Sequence, residues 1–445
     1  MDTSGQHSIP NPKINPSRRR STGLKADGTP DDNDRVEIGP TALAFEEWRA
    51  LGLELPNIPR LREFRLGRLT AELQRRDLGG ILLFDPLNIR YATDTSNMQV
   101  WVAHNPARAC YVSADGYVIL WDFHKCGHLS AHLPLVREVR HGAGFYYFEA
   151  GDHSERLAAR FAGEVDAALR EHAGGNRRLA VDKIEISGLR ALEALGVDVV
   201  SGQSVTEHVR LVKGAEEIKA MRCAIASCEI AVAEMRRAAQ PGVSEAEVWS
   251  VLHGENIRRG GEWIETRILA SGQRTNPWFQ ECGPRIIQDG DLIGFDTDLV
   301  GPYGMCADIS RTWLCGDGQA TAEQRRLYRH ANDHVMANMA LLGPGVGFRE
   351  ITEKGHRLPE EFRPQRYGCM MHGAGLCDEY PAIYYPEDFM DGAFDYTFEP
   401  GMVICVEAYI GNVGGGQGVK LEDQVLITED GIENLTRCPH DERLF

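Results

Sequence analysis

Single carboxylates set into strand-like apolar runs constrain the fold of this chain more than any other feature. Glu407 sits inside MVICVEAYI and Glu422 inside VKLEDQVLI. In GFDTDLV, Asp296 and Asp298 are two apart, so on an extended strand both side chains face the same way. Asp308 follows in CADISRTW, after a PYG turn at 302–304. Burying such groups is costly unless each finds hydrogen bonds or a cation. His372, in the glycine-bracketed stretch HGAGLCDEYP, brings an imidazole to the same half of the chain. Each residue alone has an ordinary reading: an edge carboxylate, a partner for an arginine (Arg311 for Asp308), a structural histidine in a turn. Together they point to a metal site. Oxygen-rich ligation with one nitrogen suits Mn, Fe or Co better than a structural Zn site.

A chain of 445 residues is long for one core, so two domains are expected. The expected division is an arm over residues 1–35, an α/β domain over 36–208 and a catalytic domain over 209–445. In the first domain, LREFRLGRLTAELQRRDLGG is an amphipathic helix ended by glycines. GGILLFDPLNIRYAT and RACYVSADGYVILWDF read as short strands with turns at Asp85-Pro86 and Asp115-Gly116. RLAVDKI and VDVVSG continue the alternation around a helical ERLAARFAGEVDAALREH. The second domain opens on a long helix whose buried stripe is Ile218, Met221, Ile225, Cys228, Val232 and Met235. Ser244 with Glu247 and Thr321 with Gln324 form capping boxes for two more helices. The strand-like segments that follow make this an α+β layout with an antiparallel sheet. GGGQG at 414–418 reads as the hairpin joining the two glutamate strands.

A net charge of -17 argues against nucleic acid or an anionic membrane as partner. No apolar run approaches a membrane span, and SRRRS near the N-terminus is followed by no apolar stretch, so the arm reads as extended or disordered. The eleven cysteines lack paired spacing and read as buried free thiols in a reducing cytoplasm.

The order D…D…H…E…E, with RLVKGAEEIKAMRCA, EPGMVICVEAYIG and VKLEDQVLITEDGIENLT, resembles the pita-bread metallopeptidase superfamily of methionine aminopeptidase, prolidase, aminopeptidase P and creatinase. The resemblance implies a creatinase-like N-terminal α/β domain, a pita-bread catalytic domain and a dinuclear centre using Asp308, His372, Glu407 and Glu422. Asp296 lies twelve residues before Asp308 and Asp298 ten, and the family's usual spacing falls between, so both are candidate ligands. The prolidase branch also uses two histidines that contact substrate. Here Trp278 and Phe279 stand where the first belongs, and Glu379 stands at the second, seven residues after His372.

RYGCMMHGAGLCDEYP, NPWFQECGPRIIQ, FDPLNIRYATDTSNMQ and the arm's DDNDRVEIGPTALAFEEW are similar instead to the dimethylsulfoniopropionate (DMSP) lyases built on this fold. That resemblance implies β-elimination of a small zwitterion to dimethyl sulfide and acrylate, with Asp378 as base, two divalent ions (iron, with Mn, Co or Zn as alternatives) and a homodimer. The chemistry fits: a base removes the proton α to the substrate carboxylate, a Lewis acid stabilises the developing carbanion, and no nucleophilic water is needed. Two divalent ions against the carboxylates Asp296, Asp298, Asp308, Glu407 and Glu422 leave about one negative charge, a field that tolerates a cationic head. Trp101, Trp278 and Tyr367 are candidates to hold the sulfonium by cation–π contact. The rival readings are a prolidase-like hydrolase, opposed by the absent histidines, and a catalytically dead binding module, opposed by the retained ligand set.

Overall fold

The computed structural model describes residues 24–29, 38–123, 125–388 and 396–445. Most of the arm, SRRRS included, lies outside them. Of its described part, Leu24 and Ala26 pack against the core rather than trailing away from it.

The N-terminal half is built on a six-stranded mixed sheet of β1 (Gly80–Leu83), β2 (Ala109–Ser113), β3 (Val118–Asp122), β4 (Val136–His141), β5 (Arg178–Val181) and β6 (Asp198–Ser201), in the order β4-β3-β2-β1-β5-β6. The Asp115-Gly116 hairpin forms as expected between β2 and β3. The Asp85-Pro86 pair does not turn one strand into another. Asp85 caps a helix, Pro86–Thr93, by accepting the N–H of Leu87, and Pro86 occupies the first helical position, where its missing N–H is harmless. Strand and helix both begin with the same local chemistry here, and the cap decides.

The long helix Ala215–Ala238 buries Met221, Ile225, Cys228, Val232 and Met235, with Ile218 partly covered at its start. The capping boxes at Ser244 and Thr321 form at the starts of Glu245–Arg258 and Ala322–Met339. A small sheet joins β7 (Trp263–Ile264), β10 (Leu299–Val300) and β11 (Cys306–Ala307). The large one is wholly antiparallel: β8 (Leu269–Ser271), β9 (Leu292–Asp296), β12 (Ser310–Leu314), β13 (Met371–Ala374), β14 (Asp378–Ile383), β15 (Val403–Gly411), β16 (Gly418–Ile427) and β17 (Ile432–Asn434), in the order β14-β13-β15-β16-β12-β9-β8 with β17 on β16. The GGGQG segment closes the β15–β16 hairpin, and Gly414, Gly415 and Gly416 all take positive φ there. All eleven cysteines are unpaired. No helix among the described residues is long and apolar enough to cross a membrane.

Candidate metal centre

The antiparallel sheet gathers the acidic residues by register. Glu407 and Glu422 lie directly opposite each other on β15 and β16, and Ser310 of β12 pairs with both Glu422 and Asp296. His372 on β13 is opposite Cys405 on β15, which lies two residues from Glu407 and so on the same face of the sheet. Asp296 ends β9, whereas Asp298 lies past the strand end with φ 37°, so a local left-handed turn, not strand alternation, returns its carboxylate to the cluster. Asp308 sits between β11 and β12.

The donor atoms converge as two groups that share Asp308. Asp296, Asp298 and Asp308 offer oxygens within 4.8 Å of one another, and Asp308, His372, Cys405 and Glu422 do the same with mixed donors. From His372 Nε2 the distances are 3.2 Å to Glu422 Oε1, 3.4 Å to Asp308 Oδ2 and 3.6 Å to Glu407 Oε1. His372 Nδ1 lies 3.1 Å from the Gly373 carbonyl, so the tautomer protonated there aims a bare Nε2 lone pair at the carboxylates. Burial and mutual repulsion push Asp296 and Asp298 up to about 7 and Asp308 well above the usual carboxylate range. Glu422 Oε1 and Glu407 Oε2 are fully buried and meet only cationic partners, His372 Nε2 at 3.2 Å and Lys420 Nζ at 2.9 Å. Such a donor set fits divalent cations, whose charge would reverse those shifts.

One member of the cluster escaped the sequence reading. Lys420, fully buried on β16, puts Nζ 2.9 Å from Asp296 Oδ2, Glu407 Oε2 and Glu422 Oε2 alike. Its signal was its position two residues before Glu422, hence on the same strand face. Its charge brings the expected balance of two divalent ions and the cage carboxylates to neutrality. Arg311, expected near Asp308, pairs with Asp423 at 2.7 Å and donates to the carbonyls of Cys438, Glu422 and Ser310. It supports the backbone of β16 instead of a ligand.

Asp378 begins a strand rather than sitting in the turn before it, and its side chain is 41% exposed, against 13% or less for His372, Asp308, Glu407 and Glu422. It lies 4.0 Å from His372 Nδ1 and 3.9 Å from Cys306 Sγ, at the open edge of the cage. Burial, only partly offset by His372, lifts its pKa to about 7.

The aromatic candidates divide. Tyr367 and Trp278 adjoin the cage: Lys420 Nζ is 4.4 Å from the Tyr367 ring centre and 5.9 Å from that of Trp278. The exposed Phe279 stacks on Tyr367 at 5.2 Å. Trp101 lies on the helix Gln99–His104 of the N-terminal half, among Phe123, Tyr146 and Phe148. Within one chain, the contacts around Trp101 do not join it to the cage residues.

The families described as Creatinase/Prolidase N-terminal domain and Metallopeptidase family M24 match residues 65–212 and 219–429. The curated dimethylsulfoniopropionate lyase DddP of Roseovarius nubinhibens is 56% identical over 445 residues, spanning 99% of both chains. That of Roseobacter denitrificans is 53% identical over 438 residues, spanning 97% of each. The chain belongs to the dimethylsulfoniopropionate lyase family. The two halves are therefore a creatinase-type N-terminal domain and a pita-bread catalytic domain, as the resemblance implied. Among solved structures, the Xaa-Pro dipeptidase from Bacillus anthracis aligns with a TM-score of 0.66 at 24% identity over 85% of this chain and 98% of its own. The X-Pro aminopeptidase from Thermotoga maritima gives 0.67 at 19% over 84% and 98%. These share the fold. In this chain Glu379 is turned away from the cage and buried.

Proposed function

We propose that the chain cleaves DMSP to dimethyl sulfide and acrylate by β-elimination, with Asp378 as the base. The observation that carries the reading is Asp378 itself: an accessible carboxylate on the rim of a buried cage, 4.0 Å from His372 Nδ1, whose partial burial favours its protonated form. Its Oδ1 takes the proton α to the substrate carboxylate. The electron pair of that C–H bond forms the carbon–carbon double bond, and the pair of the C–S bond leaves with sulfur as neutral dimethyl sulfide. The proton on Asp378 then passes to solvent, to which the side chain is open.

Asp296, Asp298, Asp308, His372, Glu407 and Glu422 would hold two divalent ions, which when bound supply the electrophilic pull on the substrate carboxylate. Lys420 holds Asp296, Glu407 and Glu422 in a common orientation from behind. Tyr367, Trp278 and Phe279 supply an aromatic wall for the sulfonium, and Trp101 is the further aromatic proposed for it. On the same resemblance we assign iron as the metal, a homodimer as the assembly and the cytoplasm as the location.

The prolidase-like reading has less support, because Glu379 is buried against cations and presents nothing to a peptide. The test is headspace detection of dimethyl sulfide from purified protein and DMSP, beside a Xaa-Pro peptide assay. Asp378→Asn should abolish sulfide release while metal content stays at the parental value. An Asp378→Asn protein that keeps most of its activity removes Asp378 as the base.

A further inference from the structure

We propose that Glu379 is a positioning residue: a buried clamp of charges from the domain junction holds it, and so fixes the direction in which its neighbour Asp378 points. The inference rests on the reading of Asp378 as base. Asp378 and Glu379 open β14, where successive side chains leave on opposite faces. Asp378 leaves toward His372 and the open edge of the cage. Glu379 leaves the other way, and its side chain is 1% exposed.

On that far side the Glu379 carboxylate meets Lys213 Nζ at 3.0 Å and Arg210 Nε at 3.0 Å, and accepts the backbone N–H of Leu376 at 3.0 Å. Arg210 also pairs with Glu207 and donates to Asn88 of the N-terminal domain, which in turn donates to Asp182. Glu207 accepts the backbone N–H of Tyr380 at 3.1 Å. The two residues that follow Asp378 are thus tied to the helix Gln203–Leu211, which ends the range matched by the first family, and to Lys213, which lies between the two matched ranges. Lys213 is itself pinned, its N–H donating to the Gly401 carbonyl at 2.9 Å.

Two acids face two bases, so the clamp is neutral as a unit. A buried ion cluster of this kind is weak evidence for stability, and replacing one by apolar groups is often neutral. What it does supply here is direction: Asp378 cannot swing from the cage without dragging Glu379 out of three contacts. The turn is also cut to fit, because a Cβ at Gly375 would run into the Glu379 carboxylate, although the Gly375 backbone does not require glycine.

Glu379→Gln alone unbalances buried charge and can fail to fold, so two other variants carry the test. Glu379→Gln/Lys213→Met leaves Glu207 against Arg210 and keeps the clamp neutral. Gly375→Ala changes no charge and displaces the carboxylate sterically. Each is prepared as full-length metallated enzyme, and metal content, melting and DMSP kinetics across about pH 5–9 are measured. The expected result is a kcat lower by about tenfold to a hundredfold, with KM within about twofold, parental metal content and a displaced acid limb of the kcat–pH profile. A folded, fully metallated variant of either kind with the parent's kcat and acid limb overturns the proposal. Asp378→Asn runs in parallel. If it stays active, the base reading falls and takes the clamp with it; if it is dead while both clamp variants match the parent, the clamp alone falls.

Discussion

Replacing Lys420 by methionine is the perturbation whose size the structure fixes best. Methionine keeps the length and most of the volume of the side chain while deleting a charge that sits 2.9 Å from three buried carboxylates. At an effective dielectric constant of about 20, each contact at this distance is worth about 6 kcal/mol of direct attraction. Much of that is offset by the several kcal/mol that desolvating each ion costs, and removing one member of a buried pair typically leaves a net loss of about 3–5 kcal/mol. The loss should depend on metal. In metal-stripped protein only His372, 3.2 Å from Glu422 and 3.6 Å from Glu407, is left to offset the cage carboxylates, and the loss should lie within the range of about 3–5 kcal/mol. With two divalent ions bound, the cage of the variant carries only about one uncompensated negative charge, so the loss should fall below about half of that. Guanidinium unfolding of stripped and reloaded protein, parent and variant, measures both numbers. An equal loss in the two states, or a stripped variant within about 1 kcal/mol of the parent, would refute the view of Lys420 as counter-charge to the cage.

Glu407→Ala and His372→Ala should each lose both metal and sulfide release, because each removes a donor from the converging set; two metals per chain in either variant, by elemental analysis, contradicts the ligand assignment. Tyr367→Ala should raise KM for DMSP by about 2- to 30-fold, the equivalent of about 0.5–2 kcal/mol of cation–π contact, with steady-state kinetics as the check; an unchanged KM removes Tyr367 from the sulfonium site. Asp378→Asn should also change stability with pH. The folded protein raises this carboxyl from the ordinary 3.8 to about 7, so its ionisation opposes folding, an effect absent at acid pH that grows as pH rises to about 7 and is then complete. In metal-stripped protein the variant should therefore gain stability relative to the parent on going from about pH 4 to pH 8, and a difference that is flat or reversed in denaturant titrations refutes the assigned shift.

The elements were legible where local chemistry is strong. The capping boxes at Ser244 and Thr321, the Asp115-Gly116 hairpin and the buried stripe of the long helix are written in a few adjacent residues each. Asp85-Pro86 misled because the same pair serves a turn and a helix start, and here the Asp85 cap on the Leu87 N–H goes with the helix. The carboxylates of the cage were legible for a different reason: a charge in an apolar strand demands an explanation, and five of them demanded a shared one. Trp101 had no such demand attached, since an aromatic side chain fits an apolar cluster as readily as a binding site, and that is where the fold puts it.

Lys420 and the burial of Glu379 among cations were missed although both lie in segments that drew attention, and the reason is common to them. A buried charge takes its meaning from its partners, and these partners are distant in sequence: Asp296 lies 124 residues from Lys420, and Lys213 lies 166 residues from Glu379. Strand alternation was the available clue in both cases. Lys420 two residues before Glu422 had to share its face, and Glu379 next to Asp378 had to oppose it. Two adjacent acids in one short strand thus face opposite ways, one toward the cage and the other toward Lys213 and Arg210. A histidine in place of Glu379 would lose the pairing with Lys213 and Arg210 and free the strand's first residue to turn. On this reasoning, Glu379 does not act at the metal; it acts on the aim of the residue beside it.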